Sequence, residues 1–147
     1  MSGLADGVIG AVLKSVTGEV YHFRGKVFDE TPIALALAFD SGAGVTIEGA
    51  DDGETLALSD RPLATEDLGE NGSNEIDDLS SDPLWAAALG QRLTGVCDIR
   101  DTALDVVAGL GLSFGEHRIA IVNRGGDLFV VSDISEDEDL VWGVSAD

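Results

Sequence analysis

At 147 residues and 15.2 kDa, with 44% hydrophobic residues and a mean hydropathy of +0.16, the chain is long enough for a single domain, 1–147, with a sizeable core. Its 28 Asp and Glu against 8 Lys and Arg give a formal net charge of −20, which repels nucleic acid and anionic membrane and favours basic partners. The one cysteine, Cys97, excludes an intramolecular disulfide and a cysteine-rich zinc site.

Only Lys14 and Lys26 are lysines, so a salt-adapted or GC-rich proteome background explains the same acidity. The opening residues Met1–Gly7 carry no basic n-region and no long apolar stretch, and the apolar run Ile33–Phe39 is too short to span a bilayer. A cytoplasmic protein is expected.

Residues 4–13 space Leu4, Val8, Ile9, Val12 and Leu13 as a helix would, but Gly7 and Gly10 each cost about 1 kcal/mol relative to Ala. A short helix or turn should lead into a strand. From Val12 to Phe28 the β-formers Val16, Val20, Tyr21, Phe23 and Val27 dominate, and Asp29-Glu30-Thr31-Pro32 turns the chain. Ile33, Leu35, Leu37 and Phe39 then alternate with Ala34, Ala36 and Ala38, a pattern suited to a strand covered on both faces. Asp40–Gly44 and Asp51-Asp52-Gly53 are turns flanking a strand at Val45–Glu48, and Leu56 and Leu58 carry the next strand.

Asp60 to Asp82 contain eight acids and few large apolar residues, so 61–82 reads as an acidic linker. Ser81-Asp82-Pro83 starts a short helix over Leu84–Leu89, with Ser81 or Asp82 as cap and Gly90 as stop. Strands follow at Arg92–Ile99, Val106–Phe114, Arg118–Asn123 and Leu128–Val131, with tight turns between them.

The two halves look alike. An offset of 80 pairs Gly10 with Gly90, Leu13 with Leu93 and Val16 with Val96; 75 pairs Leu35 with Leu110 and Phe39 with Phe114; 73 pairs Gly53 with Gly126 and Leu56 with Phe129. The expected fold is mainly β (α+β): repeat one at 4–60 and repeat two at 83–147. Each is a β-meander preceded by a short helix or turn, the pair forming a sandwich or a curved, barrel-like sheet with pseudo-two-fold symmetry.

The second copy runs Leu89-Gly90-Gln91-Arg92-Leu93-Thr94-Gly95-Val96, then Phe114, then Ile119–Asn123 and Gly125-Gly126-Asp127. This stretch resembles small bacterial domains of unknown function and polymorphic-toxin immunity proteins, with one glycine inserted between Asn123 and Asp127. The resemblance implies an immunity-type binding role and supplies no catalytic residue.

The chemistry-bearing residues are sparse. Cys97 lies in an apolar strand, where a buried thiol is the ordinary outcome, and His22 and His117 each lack a second histidine nearby. The acidic runs Asp51-Asp52, Glu75–Asp78 and Glu136–Asp139 lack the spacing of a calcium loop, and no glycine-rich phosphate loop or basic aromatic patch occurs. No cofactor and no enzymatic activity are expected. The expected role is binding a basic protein, such as a toxin enzyme, through Asp77, Asp78, Glu136, Asp137, Glu138 and Asp139, with Trp142 as a packed cap or an anchor within the acidic rim. The alternative is a self-assembling β module, such as a homodimer, whose acidity is background.

Overall fold

The computed structural model describes residues 3–24, 26–27, 31–125, 127–132, 134 and 139–143. The chain folds as α1 (Gly3–Asp6), β1 (Leu13–Phe23), β2 (Lys26–Val27), β3 (Ala34–Phe39), β4 (Gly44–Gly49), β5 (Leu56–Ser59), β6 (Glu66–Asp67) and β7 (Ser73–Asp78). After these come α2 (Pro83–Ala86), β8 (Gly95–Asp101), β9 (Val106–Phe114), β10 (His117–Arg124), β11 (Asp127–Val131) and β12 (Leu140–Trp142). α2 starts where capping chemistry requires, with Pro83 in its first turn and the Asp82 carboxylate accepting from the Leu84 N–H at 3.0 Å.

The strands form two curled, antiparallel half-barrel sheets, as expected for two tandem β units. The first sheet runs β5-β4-β3-β1-β7-β6, with β2 also on β1, and the second runs β11-β10-β9-β8-β12. The meander β1-β3-β4-β5 is matched strand for strand by β8-β9-β10-β11. Their inner faces share one core, in which Val16, Leu35, Leu37, Phe39, Ile47 and Leu56 meet Val96, Leu110, Leu112, Phe114, Ile121 and Leu128.

Four backbone hydrogen bonds join the halves around an isolated bridge between Val12 and Arg92. The Gly10 N–H donates to the Leu93 carbonyl at 2.8 Å and the Gly90 N–H to the Leu13 carbonyl at 2.9 Å. The Leu13 N–H donates to the Gln91 carbonyl at 3.0 Å and the Leu93 N–H to the Ala11 carbonyl at 2.9 Å. Each bond has its mate 80 residues along, so a pseudo-two-fold axis passes through this exchange. Gly10 and Gly90 both adopt positive φ there, +96° and +77°, which explains why glycine occupies both positions.

Two readings of the sequence need correction. At the last meander strand the offset is 72, not 73: Gly49 pairs with Leu56 where Asn123 pairs with Leu128, so Leu56 corresponds to Leu128. Both are buried, whereas Phe129 is exposed; a slip of one residue moves a strand's side chains to the opposite face. The corresponding turn glycines are Gly53 and Gly125, with φ of +71° and +64°.

Residues 61–82, read as a linker, contain β6 and β7, and β7 pairs with β1 over six residues, from Thr17 opposite Asp78 to His22 opposite Ser73. β12 pairs with β8 in the same way, Trp142 opposite Ile99. β7 is thus the fifth strand of the first half and β12 that of the second. The backbone ladder to β1 holds β7 despite its single large apolar residue, Ile76.

Asn123, buried at 3% exposure, corresponds to Gly49 and donates from Nδ2 to the Thr55 carbonyl at 2.7 Å. A Cβ at Gly49 would lie 3.0 Å from that Nδ2, so glycine on one side of the axis makes room for asparagine on the other.

Replacing Ile76 and Asp77 together with proline should remove about 1–3 kcal/mol of stability, because adjacent strand residues donate to opposite sides and one of the two lost N–H groups therefore faces β1. Urea unfolding followed by circular dichroism measures this; a midpoint equal to wild type would mean that β7 is only a tether.

Candidate functional site

The equivalent meanders present equivalent outer faces with opposite chemistry. On the second sheet one row runs Cys97, Gly111, Ala120, Val131 and the next Ile99, Gly109, Val122, Phe129. The matching rows of the first sheet are Thr17, Ala36, Thr46, Ser59 and Glu19, Ala34, Glu48, Ala57. Glu19 stands where the second half has Ile99, and Glu48 where it has Val122.

The apolar face is covered in part by its own chain, with Phe129 and Val131 left exposed at its β11 edge. Ile134, Leu140 and Trp142 pack against Ile99, Ala120 and Val122. The Trp142 indole lies on Gly111, where a Cβ would come within 2.5 Å of the ring, and the Arg118 guanidinium stacks 3.8 Å from the ring centroid. Gly111 therefore provides the close packing that a glycine inside a strand suggests. Cys97 is buried on the same face, and burial pushes its thiol pKa up, away from the range of a reactive thiolate.

The polar face is crossed by residues 61–65, tied down where the Thr46 hydroxyl donates to the Arg61 carbonyl. Beneath and beside this crossing lies a cleft of about 340 Å³ lined by Glu19, Thr46, Glu48, Ser59, Arg61 and Glu66 among others. The side chains of Glu19, Glu48 and Glu66 have no hydrogen bond or ion pair among the described residues. Partial burial, then the charges of Glu66 and Glu48, raise the Glu19 pKa above the ordinary glutamate value. A second hollow of about 470 Å³ shares Thr65 and Glu66 with the first and adds His22, Arg24, Asp67 and Glu75. His22 and Glu75 stand on the same face as Val20, whereas Glu19 and Glu48 stand on the opposite, outer face, so the acidic groove of the outer side is the first cleft.

The residues expected from sequence are placed differently. Asp77 is half-buried on β7 and engages His22 Nε2 at 2.9 Å. Asp78 is exposed at the end of β7, and accepting from the Ser80 N–H at 2.9 Å, together with the Ser80 side chain, lowers its pKa. Neither lines the groove. Asp139 leads into β12, its backbone carbonyl accepting from the Thr102 N–H at 2.8 Å. Trp142 is packed as a cap on the second sheet, and Glu136, Asp137 and Glu138 lie outside the described residues. The groove acids Glu19, Glu48 and Glu66 come from three separate segments. The sequence signal for Glu19 and Glu48 is a Glu at an outward strand position, Glu66 in the two-residue strand Glu66–Asp67 carries none, and only the register brings the three together.

Among the described residues no group of three His, Cys, Asp or Glu side chains is placed to hold a metal ion, and no helix is long and apolar enough to cross a membrane. No family model matches the chain, and neither a curated protein nor a solved structure matches it.

Because folding raises the Glu19 pKa, the stability it contributes is complete below the unfolded value, near 4.5, and is lost as pH rises through the higher folded value. Glu19→Gln should therefore stabilise the protein at pH 7, by about 0.5 kcal/mol after solvent screening, and have no effect below about pH 4. Thermal unfolding at both pH values checks the sign. Gly111→Ala should cost about 1–3 kcal/mol by overpacking and expel the Trp142 indole, read as a red-shifted fluorescence component.

Proposed function

We propose that this protein is a non-enzymatic binding module whose acidic groove receives a cationic segment of another protein. The observation that carries this reading is the contrast between the two equivalent outer faces. One is apolar and partly covered by its own chain; the other keeps Glu19, Glu48 and Glu66 around an open cleft without a partner among the described residues. A half-buried carboxylate held near two others is unfavourable in the free protein, and Lys or Arg from a partner relieves it. The net charge of −20 adds long-range attraction that speeds encounter with a basic surface. An immunity-type role is the special case in which that surface surrounds a toxin enzyme's active site.

The test is titration with a nona-arginine peptide, followed by fluorescence anisotropy. Glu19→Gln/Glu48→Gln/Glu66→Gln should weaken binding at least tenfold, while a control with the same charge change at Glu54, Glu70 and Glu116 changes it by less than threefold. A tenfold rise in salt should weaken binding to the wild type. Equal losses in the two triple variants would overturn the assignment of the groove, leaving only diffuse acidity.

A further inference from the structure

β11 is an edge strand of the second sheet, and its outer edge is taken up only in part by the neighbouring loop. The Leu128 N–H donates away from β10, to the Pro32 carbonyl at 3.1 Å. In an antiparallel ladder alternate residues point their backbone groups the same way, so the N–H and C=O of Val130 also face outward. Neither has a backbone partner among the described residues. β11, Asp-Leu-Phe-Val-Val, contains no Lys, no Pro and no bulge, the devices that ordinarily blunt an edge.

Beside this edge, at the seam between the sheets, lies a cleft of about 230 Å³. Leu35, Leu79 and Trp85 line it, and Leu128, Phe129 and Val130 form its β11 side. The equivalent edge strand, β5, has Ala57 and Ser59 where β11 has Phe129 and Val131, which are 46% and 38% exposed. Large apolar side chains have thus been placed at the exposed positions of one edge and not of its twin.

We infer that the β11 edge and its seam cleft bind an extended segment of a basic partner protein as an added β-strand. Backbone bonds to Val130 supply the pairing and an apolar side chain of the segment fills the cleft. Charge selects the occupant: a second copy would bring another −20, whereas Lys or Arg flanking the apolar residue is attracted. This site is separate from the acidic groove and does not depend on it.

The probe is a fluorescein-labelled hexapeptide, Lys-Val-Lys-Leu-Lys-Val, capped at both ends and followed by anisotropy against the full chain. It should bind, and N-methylation of alternate backbone amides should weaken it at least tenfold in one of the two methylation frames. Val130→Pro, which removes an outward N–H, should cost a similar factor, while Val130→Thr stays within threefold of wild type. The triple glutamine variant of the groove should also stay within threefold, which separates this site from the groove. Absence of binding at millimolar protein, or equal binding of both methylated peptides, would overturn the inference. So would self-association in sedimentation that Val130→Pro abolishes, because the occupant would then be a second copy.

Discussion

Neither meander can bury its apolar face alone, and the rest of the structure depends on that constraint. A sheet of four short strands has one face that must leave water, and the available cover for each half is the other. Leu35, Leu37 and Ile47 are met by Leu110, Leu112 and Ile121, each side chain contributing about 1.5–3 kcal/mol by its burial. This demand fixes which residues of every strand face inward. The outward residues are freed from it.

The two halves have used that freedom differently. The second half placed Ile99, Val122 and Gly111 outward and folded Trp142 and Leu140 over them. The first half placed Glu19 and Glu48 at the matching positions and left a groove. Even on the axis the match is broken, since Asn123 fills space that Gly49 vacates and bonds to Thr55. A pair of identical residues there would leave either a void or a clash.

Much of the fold was legible because a period of two is a strong signal. The alternation of Leu35, Leu37 and Phe39 and its recurrence at Leu110, Leu112 and Phe114 expose both strand and repeat. The last strand invites a misalignment by one because the shared Gly-acid pair is a turn signature, and turns tolerate insertions that faces do not. β7 was missed because Ser-Asn-Glu-Ile-Asp-Asp offers almost no side-chain pattern; its place is set by backbone pairing to β1. The groove was invisible for the same reason, since Glu19, Glu48 and Glu66 become neighbours only through register.

The exchange around Val12 and Arg92 is made by main-chain N–H and C=O groups of Gly10, Ala11, Leu13 and their counterparts. A junction built from peptide groups asks little of side-chain identity beyond glycine at positive φ. Drift of the side chains at this junction in one half therefore does not have to be answered at the junction in the other, in contrast to Gly49 and Asn123. That independence lets the two copies of a repeat present different exteriors, one largely apolar and the other a charged groove.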